Sequence, residues 1–534
     1  MRRGMWVLVA AGLAATNVSA AASVTSPLPG FAVRATGEGL TAPSRSPSGV
    51  PGDVNGDTYA EVAVGEPGNA QLRGAVHLFY GQRKGLVVDA AGTARNDQYL
   101  TQGTSGVPGA AEPGDAFGTS TVLADLNGDG CADLVVGSPG EDRRSGRVDV
   151  IFGSPTGLRS TDVQGFSLAD LPGSPGPAAN QGLGQSLTAG DLDGDGTDDL
   201  VAGVEGLRVA GKPYAGALAV VYGGHSGLDL GRSVLVSQAS PGVPGAATRY
   251  GNFGRAIATG DFDGNGTTEL AVSSGGGGGS EGAVQILERT GSGFRGPAPL
   301  RPGVAGLPGD RDQPCEFGYA LASGDVHGDG RDDLAVGDPT SGCTSEDDDD
   351  GPGAVYLVPG SPTGLTATGA RRWTQASPGV QGTARPGDRF GSSLAMAPLD
   401  RNDTADLAVG ASELPGGSVT VLLGGRAGLT TNGIGGTRYT QATAGIPGTD
   451  ERLDLFGQAI TAAFVQSPTQ ATLIISTPGE DVGAIRDAGA VTQVPISRSG
   501  PDPRTARTLT ADTPGVQGQA KPGEYFGAVG GFWG

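Results

Sequence analysis

The sequence predicts an all-β fold: a seven-bladed β-propeller of four-stranded antiparallel blades, closed by a C-terminal strand that completes the N-terminal blade. Three observations lead there. A unit of roughly 68 residues recurs along the chain, a period that marks a repeat architecture. Each unit carries four short runs of strand character, which is a blade rather than a solenoid turn. The repeat also begins and ends out of phase, so the two ends of the chain complement each other.

The composition makes sense only with that period. The 534 residues include 99 Gly and 37 Pro, a content that reads as disorder when it has no repeat. The net charge of −21 excludes nucleic acid and anionic membranes as partners, because both require a basic footprint. An acidic chain does suit cations. Charged residues at 17% and aromatics at 5% also argue against a helix-rich or coiled-coil protein.

The elements follow in order. Arg2 and Arg3 precede a short apolar stretch, Met5 to Ala15, and then Val18-Ser19-Ala20. That is the order of a secretory signal peptide, placed at residues 1–22. A Ser/Pro/Gly-rich lead-in follows at 23–50 and is expected to be flexible. The propeller is expected over 51–534. No later stretch reaches eighteen apolar residues, so no membrane span is expected. The reading is a secreted protein, extracellular or attached to a cell surface.

Each unit opens on Phe-Gly, at Phe117, Phe253, Phe317, Phe390, Phe456 and Phe526, with Leu183-Gly184 as a variant. Eight residues later comes an acidic loop, opening at Asp53, Asp125, Asp191, Asp261 and Asp325, with degenerate copies at Pro398 and Phe464. Successive loops start 72, 66, 70, 64, 73 and 66 residues apart. Asp-Leu-Ala-Val-Gly is a second strand, and Gly-Ala-Val-Tyr-Leu-Val at 353–358 alternates as a half-buried third. A fourth run ends in Thr-Gln or Ser-Gln. The first loop lacks a preceding Phe-Gly, and the Phe-Gly at Phe526 lacks a following loop. Strand one of the first blade is therefore expected from the C-terminus, which removes the free edges of an open array.

The acidic loop predicts calcium. Oxygen ligands fall at loop positions 1, 3, 5 and 9, with the carbonyl of position 7. The first loop offers Asp53, Asn55, Asp57, Tyr59 and Glu61; the second Asp125, Asn127, Asp129, Cys131 and Asp133. The third offers Asp191, Asp193, Asp195, Thr197 and Asp199; the fourth Asp261, Asp263, Asn265, Thr267 and Glu269. Alternate spacing lets a tight turn aim successive oxygens at one centre, and calcium takes six to eight of them. An EF-hand needs Glu at position 12, whereas the second loop has Val136 there. The fifth loop, Asp325, His327, Asp329, Arg331 and Asp333, is weakened by His327. The sixth keeps Asp400, Asn402 and Asp406 behind Pro398, and the seventh has lost every carboxylate; neither is expected to bind.

This combination of Phe-Gly, acidic loop and later Gly-Ala-Val resembles the FG-GAP repeats of the integrin alpha-subunit N-terminal β-propeller, over roughly residues 45–534. The resemblance implies a seven-bladed propeller with calcium between the first two strands of several blades. It also implies an extracellular binding or cell-adhesion role, of the kind carried by bacterial secreted integrin-like proteins. Leg domains, a transmembrane helix and a cytoplasmic tail are missing from the pattern, so an anchored receptor is not implied.

Antiparallel topology sorts the loops. Those after the first and third strands share one face, with the calcium loops and turns such as 153–157. Those after the second strand, and those joining blades, share the other, including the long loops Glu205–Gly216, Ser273–Gly282, Asp338–Gly353 and Thr477–Gly489. A protein or glycan ligand is expected on that variable-loop face, since variable loops on a rigid scaffold carry recognition. Asp347 to Asp350 lie in one of these loops and read as solvated. The protein is expected to be a monomer. Cys315 and Cys343 map to one blade on this face and are expected to be bridged, with Cys131 unpaired.

Catalysis is not expected. The three histidines, His77, His225 and His327, have no Ser or Cys nucleophile at a recognisable motif. A glycan-active hydrolase using loop carboxylates, or a purely structural surface protein, are the alternative readings.

Overall fold

The computed structural model describes residues 50–86, 97–275, 282–291, 293–309, 316–342, 351–411 and 416–528. The signal peptide, the lead-in, the central Gly run, Cys315, Cys343 and Asp347–Asp350 lie outside the described residues.

Seven antiparallel sheets follow one another in a ring. The second blade is typical, with strands Ser120–Ala124, Asp133–Ser138, Arg147–Ile151 and Val163–Phe166 paired in sequence order from the inside out. The first blade contributes Val62–Gly65, Val76–Phe79 and Asp97–Leu100. Its innermost place is entered by the C-terminal Phe526–Ala528. There the Gly527 N–H donates to Gly65 O at 3.0 Å, as Gly118 does to Gly137 O at 3.1 Å inside the second blade.

Two belts of backbone hydrogen bonds recur at most junctions between blades. In one, the residue at loop position 8 donates to the position 1 carbonyl of the preceding blade: Ala132 to Asp53 O at 2.9 Å and Asp198 to Asp125 O at 3.1 Å. The same bond crosses the seam, from Ala60 to Phe464 O at 3.1 Å. In the other belt, a turn residue donates to the position 2 carbonyl, as Ser154 does to Val54 O at 3.2 Å. Gln82 repeats it across the seam, to Val465 O at 2.8 Å. The ring is closed by the same bonds that join the first blades to one another.

The Phe-Gly pairs set the blade spacing. All six phenylalanines and Leu183 are buried. The glycine is required because the backbone turns through positive φ, 89° at Gly118, where a Cβ would sit 2.5 Å from Ala75 O.

One expectation is corrected. The strand Ala354–Val358 is buried throughout, not on one face. Val355 and Leu357 enter the core shared with the following blade, while Ala354, Tyr356 and Val358 enter the core shared with the preceding one. A blade is covered by neighbours on both faces, so alternation sorts side chains between two apolar cores rather than between core and water.

Candidate metal centres

Each acidic loop folds around its position 1 aspartate. In the third loop, Asp191 Oδ1 accepts from Gly194 N at 2.7 Å and Asp195 N at 3.1 Å, and Oδ2 accepts from Gly196 N at 2.8 Å. Asp53, Asp261 and Asp325 hold their loops in the same way. The turn needs positive φ at position 4, which glycine supplies in all five acidic loops, from 66° at Gly328 to 75° at Gly194. The curl brings alternate side chains to one side.

Position 9 serves a second purpose that its sequence does not advertise. Asp133 accepts from Leu126 N at 3.0 Å and from Gly153 N at 2.9 Å, joining the end of strand one to the turn after strand three. Asp199 and Asp333 do the same. So does Asp406, in the degenerate sixth loop, with Leu399 N at 2.6 Å and Gly424 N at 2.7 Å. A carboxylate at position 9 is thus a blade staple even where the other ligand positions have decayed.

Three loops gather carboxylates tightly enough to hold a metal ion: Asp53, Asp57 and Glu61; Asp191, Asp193 and Asp195; Asp261, Asp263 and Glu269. In each set the oxygens lie within 4.8 Å of one another. Two buried oxygens there, Asp193 Oδ1 and Glu269 Oε1, have no hydrogen-bond partner, the state expected of an oxygen meant for a cation. An all-oxygen donor set of this kind fits a hard cation such as calcium.

The second loop is less gathered. Asp125 holds its turn, and Asp129 Oδ2 has the Arg159 Nη2 at 3.9 Å. The fifth loop carries its own cations: His327 Nδ1 lies 2.7 Å from Asp333 Oδ2, and Arg331 pairs with Asp329. The hydrogen bond to Asp333 holds the His327 imidazolium above its ordinary range. Arg232, on the outer strand of the third blade, donates to Asp193 Oδ2 at 2.7 Å. Neither arginine is announced by the loop motif, because Arg159 comes from the turn after the third strand and Arg232 from the fourth strand, Asp229–Val236.

Burial dominates the electrostatics. It pushes Glu269 up to about 8 and Asp199 to about 7, with neighbouring loop carboxylates adding to the rise. Glu61 and Asp133 are raised well above the usual range for the same reason. These groups ionise at ordinary values in the unfolded chain. A raised folded value means that the fold binds protons the unfolded chain has lost, so stability falls as the pH climbs towards the folded value. Metal-stripped protein is expected to melt at a progressively lower temperature from pH 5 to pH 8. Thermal melts across that range check it, and a melting temperature that rises with pH would contradict the burial of these carboxylates.

The faces divide as the topology requires. The first acidic loop shares its face with the turn at 154–157: Asn55, Asp57, Pro155, Thr156 and Gly157 line one opening of about 540 Å³. Cys131 is buried and unpaired, and burial pushes its thiol up to about 11, so it is inert there.

Five stretches of the chain match the FG-GAP repeat family: residues 47–79, 117–151, 183–221, 253–287 and 317–358. Among curated proteins, a Bos taurus phosphatidylinositol-glycan-specific phospholipase D is 33% identical over 183 residues, covering 33% of this chain and 20% of that protein. Integrin alpha pat-2 of Caenorhabditis briggsae is 31% identical over 259 residues, 45% of this chain and 18% of that one. The match thus spans a fifth or less of these relatives. Among solved structures, a rhamnogalacturonan lyase from Bacillus licheniformis overlays with a TM-score of 0.31 at 14% identity, covering 77% of this chain and 78% of its own. Among the described residues, no helix is long and apolar enough to cross a membrane.

Proposed function

This chain is an integrin-alpha-like FG-GAP repeat protein, and from that premise we propose that it is a secreted, calcium-stapled binding module that engages an extracellular protein or glycan. Calcium occupies the first, third and fourth loops, whose carboxylates are gathered, with the less gathered second loop a weaker fourth site, and the ligand meets the opposite face. The observation that carries this reading is the division of labour between the two faces. Carboxylates repeat in one register on one face, whereas the other bears loops that differ from blade to blade. Uniform loops suit a repeated structural ion, and variable loops suit recognition.

The ligands within each loop are the oxygens at positions 1, 3, 5 and 9 and the position 7 carbonyl. Calcium offsets the mutual repulsion of the clustered carboxylates and so ties strand one to strand two in each loaded blade. In the fifth loop the His327 and Arg331 cations take the place of the ion. His327→Asp is therefore expected to add about one calcium per chain, because it restores the oxygen at position 3. Calcium counting on wild type and variant checks this; an unchanged count would remove the role given to His327.

Catalysis is the weaker reading. The phospholipase activity named for the bovine relative belongs to a protein of which this chain matches 20%. Here His77 is 1% exposed, with Nδ1 3.1 Å from Asp97 Oδ1, inside an aromatic cluster with Tyr99 and Phe526. His327 is tied to its own loop. Screening the full secreted chain on glycan and extracellular-protein arrays, with and without calcium, tests the proposal. Turnover of any bound glycan would overturn the binding-only reading.

A further inference from the structure

On the variable-loop face, the third blade presents two tyrosines to solvent. Tyr214 and Tyr250 are 37% and 38% exposed, and with Leu453 they are the exposed large hydrophobic side chains among the described residues. Their rings stack with centroids 5.4 Å apart and planes 24° apart. The Arg249 guanidinium lies 4.9 Å from the Tyr250 ring centre, and its Nη2 donates to the Tyr250 hydroxyl at 3.2 Å. The pair is assembled by backbone: Tyr250 N donates to Pro213 O at 3.1 Å and Asn252 N to Tyr214 O at 2.9 Å.

The repeat shows what is particular about this pair. The position three before the opening Phe or Leu has positive φ in every described blade: 97° at Gly114, 62° at Asn180, 81° at Gly387, 78° at Leu453 and 71° at Gly523, with Tyr250 at 57°. The facing position likewise has positive φ from blade to blade, 63° at Leu72, 66° at Arg144, 52° at Tyr214 and 50° at Asp487, so the backbone is a feature of the repeat and the side chains are what change. What sets this place apart is a pair of exposed, stacked rings where the other blades carry Gly, Asn or Leu facing Leu, Arg or Asp. The charge is equally local. Around the pair, residues 206–216 and 241–254 contain Arg208, Lys212 and Arg249 and no acid, with Glu205 just before them, in a chain of net charge −21.

We propose that the Tyr214–Tyr250 pair with Arg249 is a binding platform for an acidic sugar. This deepens the reading that the variable-loop face binds partners, and rests on it. The C–H face of a pyranose ring packs on an aromatic face, whose π-electrons are negative, and a uronate carboxylate meets the Arg249 guanidinium. An acidic peptide would use the arginine but gains little from two parallel rings.

The test is calorimetric titration of the calcium-loaded full chain with hyaluronan hexasaccharide, its carboxyl-reduced form and hexaglutamate. The acidic sugar is expected to bind, and the reduced sugar and hexaglutamate to bind at least tenfold more weakly. Tyr214→Ser with Tyr250→Ser should weaken the acidic sugar about tenfold or more, and Arg249→Gln should erase the preference for it over the reduced sugar. Both variants change exposed side chains and should melt with wild type. The inference is overturned if the acidic sugar does not bind, if hexaglutamate binds as well, or if binding ignores the tyrosine changes. In the last case, loss of binding in Leu453→Ser, on the same face, would leave the binding face standing without this platform. Binding that survives both changes and is lost on Asp57→Ala, on the calcium face, would remove both.

Discussion

Stripping calcium from the protein is expected to lower its melting temperature by roughly 8 °C. An ion that binds only the folded chain stabilises it by about 2.7 kcal/mol per site at a hundredfold excess over Kd. Three loops gather their carboxylates for an ion, so the sum is about 8 kcal/mol. Unfolding entropy for a propeller of this size is about 1 kcal/mol per kelvin, which converts the sum to the stated shift. Asp191→Ala, which removes the residue that holds the third loop's turn, should take about a third of the effect with the fold intact. Differential scanning fluorimetry with and without chelator measures both, and coincident melting curves would reject calcium as a staple.

Phe526→Ala is expected to destabilise the ring by about 3–5 kcal/mol. Phe526 is fully buried where the chain ends meet. Its ring packs against Phe79 at 6.2 Å and His77 at 5.1 Å, in a core that joins Val62 and Val64 to Val465, Ile474 and Val491. Removing residues 523–534 should do more, because it leaves the strand Val62–Gly65 as an open edge able to pair with another chain. The truncated protein is expected to melt early and to self-associate on size exclusion. A monomer with wild-type melting would show that the C-terminal segment does not close the ring.

The fold was legible because its signals repeat in fixed register. Phe-Gly, acidic loop and Gly-Ala-Val recur at matching offsets, and the misfit between the first loop and the last Phe-Gly located the seam that Gly527 now closes onto Gly65. The burial of Ala354–Val358 was misread, because alternation along a strand does not tell two apolar cores from one core and solvent. The loop ligands were legible as residue types, but not the double duty of position 9, which emerges only when Gly153 and Leu126 are seen to share Asp133. The cations at the loops were partly hidden. His327 lies inside its motif, while Arg159 reaches in from the turn after the third strand and Arg232 from the outer strand. The Tyr214–Tyr250 pair is not legible in the sequence because its members lie 36 residues apart in two loops that only the folded backbone brings together, through Tyr250 N to Pro213 O and Asn252 N to Tyr214 O.

The most direct test of the central claim, a propeller stapled by calcium, is to count the ion. The full chain should be dialysed against buffered calcium and measured by mass spectrometry of the metal and by native protein mass. At least three calcium ions per chain are expected, with one fewer in Asp261→Ala. A chain that retains no calcium at millimolar free ion would contradict the account.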